Sequence, residues 1–360
     1  MDQISKDFLH SYLNASSPSG GENEGQQVWL DHIKRYTEEQ ITDVYGTAVG
    51  VINPEAEYKV VLEAHADEIS WMVSYITDSG YVYVIRNGGS DHQIAPSMRV
   101  DLHTDNGKVR GVFGWPAIHV RDEDKEETPT MKNIFIDVGA ESLEDVEAMG
   151  IHVGTLVTFT DGLMELGKNY LTGRALDNRI GGFIIAEVAR RIKEKNIQLP
   201  FGLYLVNSVQ EEIGCRGAEM IARRLKPSVA ICTDVTHDTQ SPMYENEKIA
   251  NGNIKCGSGP VISYGTSVQP ALVKMITDTA KRENIKFQRQ AAAEGTGTDT
   301  DAFAYSAEGI PSALVSLPLK YMHTTVETAH RDDIEMTIEL LYAVIVNMKH
   351  GMNYHHDFKK

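Results

Sequence analysis

Tyr58-Lys59-Val60-Val61-Leu62-Glu63-Ala64-His65-Ala66-Asp67-Glu68 decides the fold. The first seven residues read as a buried strand, and its carboxyl end delivers a histidine and two acids. In an α/β sheet that end is where ligands collect. The same grammar recurs downstream. Phe201 to Asn207 is strand-like and leads into Val209-Gln210-Glu211-Glu212-Ile213-Gly214, while Val229 to Thr233 leads into Asp234. Ala175-Leu176-Asp177-Asn178-Arg179 opens a helical pattern carried by Ile180, Phe183, Ile184, Val188 and Ile192, and Pro318-Leu319-Lys320-Tyr321-Met322-His323 closes another β segment, Ser312 to Leu317.

Each of these ends has an ordinary explanation when taken alone. A histidine at a strand edge is usually satisfied by a hydrogen bond, and Asp177 or Asp234 could cap a helix or turn. Glu211-Glu212 is harder to explain, because adjacent like charges after an apolar strand repel unless cations or solvent compensate. Taken jointly, His65, Asp177, Glu212, Asp234 and His323 read as ligands of a two-metal hydrolytic site. A carboxylate with two oxygens can bridge two cations, which suits Asp177. Of the paired glutamates, one can bind metal while the other handles a proton, and Asp67 is placed to orient His65 through its second ring nitrogen. Oxygen and imidazole ligands without thiolate suit Zn²⁺, Co²⁺ or Mn²⁺.

Around this frame, residues 70 to 163 change character. Trp71 to Ile76, Tyr81 to Arg86, Arg99 to His103, Lys108 to Phe113, Asn133 to Val138 and Val153 to Thr160 are short strands separated by turns such as Asp105-Asn106-Gly107. The expected organisation is a discontinuous α/β domain, 1–69 with 164–360, interrupted by a β-rich insertion at 70–163. Arg121 to Thr130 reads as a mobile charged loop. Gly162 to Asn169 nearly spells a phosphate-binding loop, but Asn169 replaces Ser/Thr and a strand follows, so it reads as a domain-return loop. The tail Tyr354-His355-His356-Asp357 reads as a frayed terminus.

Composition narrows the field. Net charge of −17 disfavours nucleic acid and membrane surfaces as partners. No apolar run is long enough to span a bilayer and the first residues are unlike a signal peptide, so the expected location is the cytoplasm. Cys215, Cys232 and Cys256 form no C-x-x-C and read as core thiols. There is no G-x-S-x-G elbow and no H-E-x-x-H motif.

Ala64-His65-Ala66-Asp67-Glu68-Ile69, Gly88-Gly89, Gly111-Val112-Phe113-Gly114 with His119, Ala175-Leu176-Asp177-Asn178-Arg179, Val209 to Ala218, Thr233-Asp234-Val235-Thr236, Thr300-Asp301-Ala302, Gly309-Ile310-Pro311 and Tyr321-Met322-His323 together resemble the dinuclear-metal tetrahedral aminopeptidases, the group that includes glutamyl aminopeptidases and has also carried an endoglucanase label. The resemblance is nearly end to end. It implies a three-layer α/β/α metallopeptidase sandwich with an inserted small all-β domain used in dimerisation. It also implies assembly of dimers into a dodecamer. By the same resemblance one divalent ion is held by His65, Asp177 and Asp234 and a second by Asp177, Glu212 and His323, with Glu211 as general base and Asp67 orienting His65. The implied activity is removal of N-terminal residues from short peptides by a metal-bridging hydroxide. The sequence departs from the family at Lys320, where arginine is usual, and the doublet Thr298-Asp299-Thr300-Asp301 permits two alignments. Rival readings are a related co-catalytic carboxypeptidase or deacylase, a glycoside hydrolase, or a catalytically silent assembly protein.

Overall fold

In a computed structural model of the chain, describing residues 1–355 except Glu123, Lys125 and Glu245, the opening motif forms the strand that the sequence predicts. The chain begins with helices α1 (Gln3–Asn14) and α2 (Asn23–Ile33) and strands β1 (Glu39–Thr42), β2 (Ala48–Ile52) and β3 (Lys59–His65). Next come β4 (Ser70–Ile76), β5 (Val82–Asn87), β6 (Arg99–Thr104), β7 (Gly107–Phe113), β8 (Ile136–Asp137), the short helix α3 (Leu143–Ala148) and β9 (Leu156–Phe159). Then follow β10 (Met164–Leu166), β11 (Tyr170–Gly173), α4 (Leu176–Glu194), β12 (Gly202–Ser208), α5 (Arg216–Leu225), β13 (Val229–His237) and α6 (Glu247–Asn251). The chain continues through β14 (Val261–Gly265), α7 (Pro270–Arg282), β15 (Gln288–Ala292), α8 (Asp299–Ala304), β16 (Ser312–Lys320), β17 (Glu327–His330) and α9 (Arg331–Asn347).

Among the described residues eleven strands make one sheet in the order β1-β2-β12-β3-β13-β16-β17-β11-β10, with β14 and β15 branching from β16. Its centre is parallel: β12, β3, β13 and β16 all run the same way, with Ser208 beside His65 and Cys232 beside Glu63. Four strand ends therefore open on one edge. Helix α4 lies across β3, β12 and β13 with α1, α2 and α9 beside it, while α5 and α8 pack on each other and on β12, β13 and β16, completing a three-layer α/β/α sandwich. Close approach of α4 needs small residues, since a Cβ on Gly181 would sit 2.9 Å from Ala64 Cβ.

Between β3 and β10 the chain makes a closed antiparallel barrel, β4-β5-β8-β7-β6-β9. Alternate residues of its strands point inward, and Trp71, Val73, Val84, Val100, Leu102, Phe113, Ile136 and Val157 form a core separate from that of the sandwich. The insertion is not wholly β. Ser142 caps α3 by accepting the Asp145 N–H at 3.2 Å, and Val146 of that helix enters the barrel core. The strand expected over 133–138 shrinks to two residues because only Ile136 and Asp137 find partners, while Asn133 is spent accepting the Thr130 N–H in a turn. The expected return loop at 162–169 is half of a hairpin, since β10 pairs with β11 and Gly167 takes the left-handed turn at φ 61°. In the 121–130 stretch Glu123 and Lys125 lie outside the described residues, as do His356 and Asp357 of the tail. Among the described residues no helix is long and apolar enough to cross a membrane.

Candidate active site and metal centre

His65 ends β3, and the next strand over, β13, stays in register with it only as far as Cys232 opposite Glu63. The expected strand end at Asp234 moves: β13 continues to His237 alongside β16, so Asp234 lies inside the strand, at the point where β3 has already left. That departure opens the gap into which the site residues converge. The structure brings His65, Asp177, Glu212, Asp234 and His323 together, with Glu211 and Asp67 against them. His65 Nε2 lies 3.2 Å from Asp177 Oδ1, 3.7 Å from Asp234 Oδ1 and 3.8 Å from Glu211 Oε2. His323 Nε2 lies 3.3 Å from Asp177 Oδ2 and 3.4 Å from Glu212 Oε2. Asp177 thus presents one oxygen to each imidazole.

Asp177 is not a helix cap. It and Asn178 have non-helical dihedrals at the start of α4, and Asn178 does the capping instead, its Oδ1 accepting the Gly181 N–H at 3.2 Å while its amide donates to the Thr233 carbonyl at 2.8 Å. Both Asp177 oxygens stay available.

Asp67 organises the other side. His65 Nδ1 faces the Asp67 carbonyl oxygen at 3.2 Å and Asp67 Oδ1 at 3.4 Å. Both are acceptors, so Nδ1 carries the proton and Nε2 is the nitrogen turned to the carboxylates. The same carboxylate accepts the N–H of Glu211 at 3.0 Å and of Glu212 at 3.3 Å, and the Ser19 hydroxyl at 2.7 Å. The orientation of the His65 ring and the main-chain position of the Glu-Glu pair therefore depend on one residue.

Three contributors escaped the sequence. Glu327, buried, accepts the Asp177 N–H at 3.0 Å and the His323 N–H at 2.8 Å, tying two ligand candidates together. It also holds His323 in the left-handed region, φ 62°, a conformation that costs energy outside glycine. Its only sequence signal is an acid four residues after His323. Glu22, also buried, stands close to Asp67 and accepts the Gly20 N–H at 2.7 Å. Cys215, expected in the core, is only half-buried, and its thiol donates to Glu211 Oε1 at 3.6 Å. The Gly88-Gly89 element gains a physical reason: a Cβ on Gly89 would fall 2.3 Å from His323 Nδ1, so the barrel reaches the site here and tolerates no side chain. The Thr298–Asp301 ambiguity resolves by burial. Asp299 points at Ser208, whose hydroxyl lies 2.6 Å from Glu63, whereas Asp301 turns away to accept the Thr296 and Gly297 N–H groups. Lys320 places its ammonium 4.8 Å over the Tyr170 ring.

Titration follows crowding. Burial alone would lower His323, but Asp177 and Glu212 outweigh it and raise the imidazole to about 11. His65 is likewise depressed by burial and then carried well above its ordinary value by Glu211, Asp177, Asp67 and Asp234. Burial pushes Glu211 up to about 10, His65 opposing and Asp234, Asp299 and Glu212 adding to it. Burial likewise pushes Asp234 up to about 8, with His65 opposing and Asp177 adding. These are the responses of a cluster with too many carboxylates for its positive charge. The donors fit divalent cations: two imidazole nitrogens, three carboxylates, and a buried Glu212 Oε1 with no hydrogen-bond partner. Ligand atoms of His65, Asp177 and Glu212 lie within 4.8 Å of one another, a spacing one cation can span.

A parallel-centred sandwich that gathers two histidines and three acids along one edge of its sheet, with Glu211 alongside, defines a hydrolase built around metal sites. Comparisons with known proteins agree. Residues 46–340 match the family model described as M42 glutamyl aminopeptidase. The chain is 32% identical over 348 residues to the lysyl aminopeptidase of Pyrococcus furiosus, spanning 95% of this chain and 97% of that one. It superposes on the TET aminopeptidase of a marine-sediment thaumarchaeote with TM-score 0.90 at 27% identity, covering 97% and 98% of the two chains. The Pyrococcus horikoshii TET1 peptidase, which can assemble into a tetrahedron or a large octahedral shell, gives TM-score 0.84 at 26% identity over 96% of this chain and 100% of that one. The chain belongs to the M42 glutamyl aminopeptidase family. Family and site together make it a metal-dependent aminopeptidase.

Proposed function

We propose that this chain removes residues stepwise from the N-terminus of short peptides, using two divalent cations and Glu211 as the proton carrier. The observation that carries the reading is Asp177, whose two oxygens face His65 and His323 separately. One cation would be held by His65, Asp177 and Asp234, the other by Asp177, Glu212 and His323. Zn²⁺ or Co²⁺ fits this donor set best, with Mn²⁺ also compatible. Bound there, the pair would supply Lewis acidity toward the attacking water and the scissile carbonyl.

The remaining steps belong to the protein. Glu211 takes the proton from the water and returns it to the leaving amine nitrogen, a contribution typically worth about 10²- to 10⁴-fold. Burial, the largest cause of its raised pKa, favours keeping that proton on it between the two transfers. Asp67 keeps base and ligand spaced by accepting both their N–H groups. The surplus of carboxylates complements an α-ammonium, which favours exopeptidase action. Mass spectrometry of a decapeptide digest tests this: stepwise N-terminal loss is expected, and internal cuts or equal cleavage of the N-acetylated peptide overturn it.

The proposal extends to assembly. The catalytic unit is taken as 1–69 with 164–360, and the insertion at 70–163 as the contact module of a dodecamer built from dimers, in line with the shells formed by the Pyrococcus horikoshii relative. Ile118 and Val120 stand 70% and 75% exposed on the barrel either side of His119, an apolar pair that a neighbouring subunit would cover, placing His119 and the 121–130 stretch near that subunit's active-site entrance. Light scattering should report a particle far above 39.9 kDa, and a fully active monomer would end this part alone. A cytoplasmic location is supported by three unpaired cysteines.

A further inference from the structure

Behind Glu211, on the side away from His65, a second group of ligating atoms comes together. One carboxyl oxygen of Glu211, the Cys215 sulfur and one carboxyl oxygen of Asp299 all lie within 4.8 Å of one another. Asp299 is 1% exposed, and its Oδ1 has no hydrogen-bond partner although its Oδ2 is engaged by Ser208. A buried carboxylate oxygen without a partner costs free energy unless something fills the place. Among the described residues Asp299 forms no ion pair, and Glu63 stands beside it as a further acid. The Cys215 sulfur stands 3.6 Å from Glu211 Oε1. A tetrahedral ion with metal–sulfur and metal–oxygen bonds of about 2.3 and 2.0 Å separates those two donors by about 3.5 Å. Access exists from outside: Cys215 lines a cleft of about 340 Å³ with Gly214, Glu219, Arg223, Asp301 and Tyr305.

We propose that Glu211, Cys215 and Asp299 form a third cation site, distinct from the two at Asp177, which takes a thiophilic divalent ion such as zinc in excess and silences the enzyme by engaging the base. Binding replaces the thiol proton with the metal, and the proton goes to solvent. With Oε1 held by the cation, the Glu211 carboxylate keeps lone pairs on Oε2 but becomes a much weaker base, so it takes a proton from water less readily. The inhibitory half rests on Glu211 as the base; the binding half does not.

Cadmium is the probe, added to enzyme already loaded with zinc at its two primary sites. Equilibrium dialysis should find one cadmium per chain with both zinc ions retained, together with the ultraviolet thiolate-to-cadmium charge-transfer band. Cys215→Ala should lose the band and the extra ion, and its half-inhibitory cadmium concentration, each protein being referred to its own uninhibited rate, should rise at least tenfold. Asp299→Asn should weaken binding while keeping the thiol. Absence of an extra ion in the wild type, or a band and ion that survive Cys215→Ala, overturns the site. Cadmium that binds with the band yet leaves the rate unchanged overturns the inhibitory half, and full activity in Glu211→Gln would show separately that the base assignment is the part at fault.

Discussion

The barrel and the catalytic edge of the sheet are stabilised in opposite ways. Between Ser70 and Phe159 the buried polar residues among those described are Ser70, Ser90, Thr155 and Thr158, with no acid or base among them. At the sheet edge Glu22, Glu63, Asp67, Glu68, Asp177, Asp234, Asp299 and Glu327 are all buried within one neighbourhood. Apolar burial stabilises the barrel at about 25 cal/mol per Å², whatever the ionic conditions. Buried like charges destabilise the edge until protons or cations offset them. Only Glu68 is settled by arginines, Arg174 and Arg179, which overcome its burial and hold its carboxyl below the usual range. One region is built for indifference to its medium, the other for dependence on it.

The sharpest break of that contrast is Asp177→Ala. Because both imidazoles face this residue, the variant should fall from about two divalent ions per chain to near none in metal analysis, and peptidase activity should vanish with them. Full activity with one ion or none would remove the dinuclear assignment. Glu211→Gln comes next, with turnover down by about 10²- to 10⁴-fold and metal content unchanged. A parallel loss of metal would show that Glu211 is a ligand.

A pair of variants next sets the regions directly against each other. Leu102→Ala, in the barrel core, should cost about 2–5 kcal/mol of stability in that region and leave turnover per folded molecule nearly intact. Gly89→Ala, in the same insertion, should do the reverse: its new methyl meets His323, so activity should drop roughly tenfold or more, since small misplacements of a catalytic group are costly, with little change in melting temperature. If Gly89→Ala is fully active, the barrel does not shape the site.

Legibility in the sequence follows the same division. Strand ends at His65 and Glu211 could be read because long apolar runs stop at acids, and barrel strands because alternation marks one buried face. What the sequence hides depends on pairing between distant segments. Nothing local says that β13 outlasts β3, which is why Asp234 falls inside a strand rather than at its end. Glu327 opens a four-residue strand, too short for any period to show that it is buried. The absence of C-x-x-C spoke against a thiolate metal site, yet it could not reveal one sulfur beside two carboxylates, since Asp299 lies 84 residues from Cys215. Asn178 and Asp177 are neighbours with helix-capping chemistry in common, and only the dihedrals decide which of them caps.

The smallest expected effect concerns Glu22, which belongs to the edge without being one of the proposed ligands. Burial first, and the charge of Asp67 second, push its carboxyl up to about 8 from an ordinary value of 4.5. Between those two values the folded chain keeps a proton that the unfolded chain gives up, so the folded state binds more protons and stability falls as pH rises through the window. Below it both states are protonated, above it both are ionised, and the group adds no further slope. The slope from this one residue can reach about 1.4 kcal/mol per pH unit. Glu22→Gln keeps an oxygen to accept the Gly20 N–H and removes the titration. Thermal unfolding of the variant should therefore match the wild type near pH 4.5 and exceed it near pH 8, by an amount that grows steadily between. The barrel variant Leu102→Ala should instead lie below the wild type by a constant margin across the range. If Glu22→Gln shows a constant margin too, the charge at this edge is relieved by some means other than the proton, and the contrast between the two regions is weaker than their burial implies.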